Sequence, residues 1–111
     1  MNIQIFGKAK CFDTKKSERY FKERGIKYQL INLAQKGMSK GELSNVKVAV
    51  GGLEPMLNEK AEGYALIKYL AHEEDKEQKL LENPMLLKTP IVRNGKLATI
   101  GYQPNVWSKW E

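Results

Sequence analysis

Polar and apolar residues alternate from Asn2 to Phe6 around Ile3 and Ile5, the two-residue period of a short β-strand. Gly7 and a basic loop, Lys8–Lys10, follow and lead into Cys11. The pattern predicts a helix from there. Asp13 or Thr14 can supply its cap, Lys15–Arg24 is rich in helix formers, and Gly25 stands where a left-handed C-terminal stop is wanted. Ile26–Leu33 resumes a strand, with Ile26, Tyr28 and Leu30 alternating against Gln29 and Ile31. Strand, helix and strand within about thirty residues make a βαβ unit, for which a right-handed crossover and parallel pairing are the default.

Ser39-Lys40-Gly41-Glu42 fits a capping box, so a helix is expected to run to about Val48 before Gly51-Gly52 and Pro55 break it. Between Pro55 and Glu82, the apolar residues Tyr64, Ile67, Leu70, Ala71, Leu80 and Leu81 recur at helical spacing among charges, which predicts two or three short helices. Pro84 and Pro90 bracket the segment that follows. Ile91–Arg93, the turn Asn94-Gly95 and Leu97–Ile100 read as a hairpin whose two-residue loop favours positive φ at both centres. Gly101 ends it, and Pro104 suits the first turn of a last helix in which Trp107 and Trp110 pack against the sheet. The order is βαβ, a helical insert over about residues 39–83, then ββα, in one domain spanning residues 1–111.

Composition narrows the class. A chain of 111 residues, 41% hydrophobic and 29% charged, is the size of one globular domain and too short for a two-domain enzyme. Its apolar runs fall far short of the ~20 residues of a membrane span, and the opening MNIQIFGKAK lacks the apolar segment of a signal peptide, so a cytoplasmic location is expected. One cysteine and one histidine leave no intramolecular disulfide and argue against a metal centre or a Ser/His/Asp triad. The net charge of +6 is unevenly placed: residues 1–55 hold eleven Lys/Arg against five Asp/Glu, and residues 56–111 hold eight of each. All the excess lies in the half that contains Cys11.

Cys11 falls where a strand hands over to a helix, and there free backbone amides and the helix dipole favour thiolate over thiol. Lys8, Lys10, Lys15 and Lys16 surround it in sequence, opposed by Asp13 and Glu18. Thr14, three residues on, can donate its hydroxyl to the sulfur, a bond that strengthens as the sulfur gains charge. A lone cysteine is also commonly a small buried hydrophobe. Flanking Lys10 and Asp13 are poor company for a core residue and favour the partly exposed thiolate. Lys16, Lys22 and Lys27 read equally well as a solvated helix face, and His72, beside Glu73 and Glu74, as a surface residue. Thr89-Pro90 enters a strand with no proline amide to donate, so a special turn is expected there.

Two blocks, GKAKCFDTKKSERYFKERGIKY and ENPMLLKTPIVRNGKLATIGYQPNVW, resemble the arsenate reductase-like family, the ArsC/Spx/YffB group. The resemblance covers essentially the whole chain. It implies a thioredoxin-like α/β fold with a mixed four-stranded sheet, Cys11 as nucleophile, Thr14 at the hydroxyl position of one-thiol members, and Pro90 as a cis-proline. It also implies Lys15 at the basic position beside that hydroxyl, and Lys8, Lys10, Lys88, Thr89 and Pro90 as the substrate-binding surroundings. Where the family usually carries oxyanion-binding arginines, this chain has Lys15, Thr89 and the segment Asn58–Lys60. A lysine does not reproduce the planar bidentate grip of a guanidinium, so arsenate reduction ranks below a more general thiol chemistry.

The resulting expectation is a thiol oxidoreductase with no tightly bound cofactor. The Cys11 thiolate attacks an oxidised substrate, and with no second cysteine an external thiol such as glutathione, or a glutaredoxin- or thioredoxin-type reductant, releases the adduct. The alternative is an Spx-like regulator that docks on an RNA polymerase subunit, for which a basic N-terminal half suits an acidic protein partner. Neither membrane binding nor direct nucleic-acid binding is expected, since no arginine-rich recognition helix is present.

Overall fold

The computed structural model describes residues 1–111. Strand β1 (Ile3–Gly7), helix α1 (Phe12–Glu23) and strand β2 (Tyr28–Asn32) form the βαβ unit, with β1 and β2 parallel from Ile3↔Tyr28 to Gly7↔Asn32. Helix α2 (Lys40–Val50), a 3-10 turn at Glu54–Met56, α3 (Tyr64–Lys68), α4 (Glu73–Glu82) and a 3-10 turn at Pro84–Leu86 come next. Strands β3 (Ile91–Asn94) and β4 (Leu97–Ile100) complete a mixed sheet of order β2-β1-β3-β4, and α5 (Pro104–Trp107) runs into a 3-10 turn at Ser108–Trp110. No helix is long and apolar enough to cross a membrane.

Each face of the sheet carries its own core because side chains on a strand alternate sides. Ile3, Ile5 and Val92 point to one face and pack with Tyr20 and Phe21 of α1 and with Trp107. Trp107 is 0% exposed, and its indole N–H donates to Thr99 Oγ1 at 2.8 Å. Phe6, Ile31 and Ile91 point to the other face, against Leu43 and Val46 of α2 and the apolar residues of the following turns and helices. Lys47 clamps α2 to α4 through Glu73 at 2.7 Å and Glu77 at 2.8 Å.

Local signals account for several boundaries. Ser39 Oγ accepts from the Glu42 amide at 3.1 Å, and the Glu42 carboxylate accepts from the Ser39 amide at 2.8 Å, completing the capping box. Gly51 closes α2 at φ 88°, two residues beyond the expected end. Two expectations are corrected. Helix α1 starts at Phe12 with Cys11 itself as the extended N-cap, so Asp13 and Thr14 are already helical. The hairpin loop is Gly95-Lys96, because Asn94 still pairs with Leu97; only Gly95 has positive φ (60°), so the turn needs a left-handed residue at its first centre alone. Leu30 does not join the core and is 46% exposed, because α1 lies mainly over β1 and leaves the outer strand β2 partly bare.

Candidate active site

Cys11 sits half-buried at the end of the β1–α1 connection, and its Sγ donates to the Thr89 carbonyl oxygen at 3.7 Å. Thr89 precedes Pro90 through a cis peptide bond, as the resemblance implied, and the buried proline faces the same end of the sheet. The Pro90 carbonyl accepts from the Gly101 amide at 2.8 Å, tying this wall to the end of the hairpin.

The surroundings of the sulfur favour its anion. Burial pushes the Cys11 thiol up, but the side-chain hydroxyls of Thr14 and Thr89 and the backbone amides of Thr14 and Asp13 together pull it further down, so it ionises below the ordinary thiol value. The helix geometry explains the amides: the first N–H groups of a helix lack partners within it, and at the N-cap Cys11, whose side chain makes no cap bond while neutral, they favour a charged sulfur.

Thr14 occupies an unusual position. It is 3% exposed, and its Oγ1 is a buried side-chain oxygen with no hydrogen-bond partner within the ordinary limit. It stands near enough to Cys11 to favour the thiolate, so the hydroxyl is held ready for a charge rather than used up by the neutral thiol. Gly7 permits this placement, since a Cβ there would fall inside the contact radius of Thr14 Cγ2 and 2.7 Å from Oγ1.

The lysines divide. Lys8, expected to meet substrate, sends its Nζ to the carbonyl oxygens of Met85 at 3.1 Å and Leu87 at 2.9 Å. Burial lowers its pKa and the charge of the nearby Cys11 opposes that shift, so the ammonium serves both as a tie between two segments and as a positive neighbour of the sulfur. Lys10 and Lys15 are exposed at the rim. The Lys88 side chain is also exposed, while its amide donates to the Met56 carbonyl at 2.7 Å. Asn58 bonds through its amide to Leu86 at 2.8 Å and through its side chain to the Lys60 amide at 3.1 Å, which makes Asn58–Lys60 a turn. Of the three arginines, Arg93 is committed to Asn45 at 2.6 Å and Gln4 at 2.7 Å, Arg19 lies on α1, and Arg24 caps its far end. Sequence reasoning missed Gly7, the role of Lys8, and Asn32 and Leu30 beside Thr14. A glycine at the end of β1 was the one available signal.

A model of the ArsC family matches residues 6–110. The chain belongs to the ArsC family. It is 31% identical over 107 residues to "Global transcriptional regulator Spx 2" of Oceanobacillus iheyensis, covering 92% of this chain and 78% of that one. An arsenate reductase from Vibrio cholerae superposes with a TM-score of 0.85 at 22% identity, covering 98% of this chain and 97% of the other. An ArsC family related protein from Bacteroides fragilis gives 0.83 at 20% identity over 100% of both chains. NrdH-redoxin of Escherichia coli, a glutaredoxin-like protein, gives 0.53 at 14% identity over 100% of this chain and 96% of that one. The ArsC-family chain therefore has the thioredoxin-like α/β fold.

Proposed function

We propose that this ArsC-family protein is a thiol oxidoreductase working through the single nucleophile Cys11. The observation that carries the proposal is a half-exposed sulfur at the N-cap of α1, bonded to the Thr89 carbonyl, where nearby hydroxyls and helix amides favour its anion. The thiolate attacks a sulfur of an oxidised partner, and an external thiol such as glutathione, or a dithiol reductant of the glutaredoxin or thioredoxin kind, attacks the mixed disulfide and restores Cys11. A reducing cytoplasmic setting, where such thiols are abundant, goes with this chemistry. No cofactor enters the cycle. Thr14 and the α1 amides stabilise the attacking sulfur, Lys8 adds positive charge, and Thr89 and Pro90 form the facing wall. Arsenate is a poor substrate in this reading, because neither Lys15 nor Thr89 offers the bidentate grip of arginine on an oxyanion. The test is alkylation of Cys11 over a pH series with intact-mass detection of a glutathione adduct. Ordinary thiol reactivity with no adduct overturns the proposal.

A second reading has its own observation. Phe12, next to Cys11, is 79% exposed, and a relative at 31% identity is a transcriptional regulator. An Spx-like interaction module would use that ring and the rim lysines Lys10 and Lys15 to dock on an acidic face of an RNA polymerase subunit. Binding that persists in Cys11→Ser and is lost in Phe12→Ala supports it; loss in both returns the role to the thiol.

A further inference from the structure

A cavity of about 110 Å3 opens beside the cysteine loop, between α1 and the outer strand β2. Lys8, Thr14, Lys15, Glu18, Leu30 and Asn32 contribute to its walls. The polar groups there have bonding capacity to spare. Thr14 Oγ1 is buried and unpartnered. The Lys15 ammonium enters none of the ion pairs of the structure. Glu18 accepts from the Tyr28 hydroxyl at 3.1 Å through one carboxylate oxygen, leaving the other. Asn32 commits Oδ1 to the Ala34 amide at 3.0 Å, leaving its NH2 group as a donor. Leu30 adds an apolar surface.

Two ammonium groups and one carboxylate thus line one small cavity; Lys8 is held by the Met85 and Leu87 carbonyls, and Lys15 and Glu18 do not pair with each other. A dianion such as phosphate would meet the Glu18 carboxylate, and a simple amine would meet Lys15. A group carrying both charges on one carbon satisfies both. We propose that this cavity receives the amino-acid head group, α-ammonium and α-carboxylate together, of a low-molecular-weight disulfide that Cys11 attacks. The ammonium lies against Glu18, and the carboxylate against Lys15 and the Asn32 amide group, while the Thr14 hydroxyl stays with the sulfur. Thr14 belongs both to the cavity wall and to the surroundings of the sulfur, so a head group seated there is held close to the reacting centre.

The inference rests on the reading of Cys11 as nucleophile and names the substrate class for it. The Cys11 thiolate attacks one sulfur of R–S–S–R; a Cys11–S bond forms, the S–S bond breaks, and RS⁻ leaves with the electron pair. The external thiolate R′S⁻ then attacks the substrate sulfur of the mixed disulfide, giving R′–S–S–R and free Cys11 thiolate. Two sources carry the required head group: free cystine, and a γ-glutamyl peptide disulfide such as oxidised glutathione.

The full chain is mixed with five disulfides, and formation of the Cys11 mixed disulfide is followed by intact mass. Each rate is divided by that of free mercaptoethanol with the same reagent. The set is cystine, oxidised glutathione, cystamine (ammonium only), 3,3′-dithiodipropionate (carboxylate only) and bis(2-hydroxyethyl) disulfide (neither). The expected result is a normalised rate roughly tenfold higher for a zwitterionic disulfide than for the hydroxyethyl compound, the size of one or two charge-assisted contacts. Lys15→Met is expected to shrink the preference for carboxylate-bearing reagents, and Glu18→Gln that for ammonium-bearing ones. Cystine ahead of oxidised glutathione identifies the free amino acid as the source, and the reverse order the γ-glutamyl peptide. Equal normalised rates for all five, or a zwitterion preference that survives both substitutions, overturns the inference while leaving Cys11 a nucleophile. Failure to react with any of the five overturns the Cys11 reading itself.

Discussion

The ammonium of Lys8 donates to the carbonyl oxygen of Leu87 at 2.9 Å, joining the cysteine loop to a residue 79 positions further along the chain. With the second bond, to Met85 at 3.1 Å, it fastens the segment leading to Thr89 and Pro90 against the loop that carries Cys11. Lys8→Met keeps the aliphatic stem and removes both bonds and the charge. It is expected to lower unfolding free energy by about 1–2 kcal/mol, read from urea denaturation, since a bond from a charged donor to a carbonyl is worth about that much. The same variant is expected to move the midpoint of Cys11 alkylation to higher pH, because the thiolate loses a positive neighbour.

Thr14→Val replaces a buried, unpartnered hydroxyl by a methyl of similar shape. Deleting an unsatisfied polar atom from the interior costs little or adds stability. Thermal melting is therefore expected to stay the same or rise, while the alkylation rate at neutral pH drops several-fold. Thr14→Ser, which keeps the oxygen, is expected to retain most of the reactivity.

Gly7→Ala tests the close approach that puts Thr14 in place. The added Cβ overlaps Cγ2 of Thr14 and comes within 2.7 Å of its Oγ1. Overpacking of this kind costs about 1–3 kcal/mol, and a displaced Thr14 weakens its hold on the thiolate. Stability and Cys11 reactivity are expected to fall together, and Thr14→Ser in the same chain, which removes the nearer methyl, is expected to restore part of both.

Protonation of Cys11 links reactivity to stability. A thiol that ionises more readily in the folded chain than in the unfolded one contributes stability that is complete above the ordinary thiol value and is lost as pH falls through the depressed folded value. The stability of the native chain relative to Cys11→Ser is therefore expected to rise with pH in the interval just below the ordinary thiol range and to level off above it. Urea denaturation of both proteins under reducing conditions across that interval measures the effect, and a flat difference contradicts the thiolate.

Local chemistry made much of this fold readable. The alternation around Ile3 and Ile5, the Ser39–Glu42 box and Gly51 act over a few residues, and the structure uses each of them. Pairing across strands decided what the sequence left ambiguous. Asn94-Gly95 looked like the turn, but the Asn94↔Leu97 pair extends the ladder one residue and hands the loop to Gly95-Lys96. Leu30 shares the alternation of Ile26 and Tyr28 and is nonetheless 46% exposed, since only the position of α1 determines whether an outer strand is covered. At the site, Cys11 and Thr14 were legible from their spacing at the head of a helix. The use of Lys8 was not, since its partners are carbonyls far along the chain and nothing in a lysine's immediate neighbours announces them.

The placement of Trp107 gives the molecule an optical reporter of its own. Its shielded indole stands 5.2 Å from the Tyr20 ring and 5.1 Å from the Phe21 ring, both on the helix whose opposite end presents the sulfur, and Trp110 lies half-buried beside the same cluster. Both of the chain's tryptophans therefore watch one helix, and shifts in their ultraviolet emission on oxidation of Cys11 would register its movement without any dye attached.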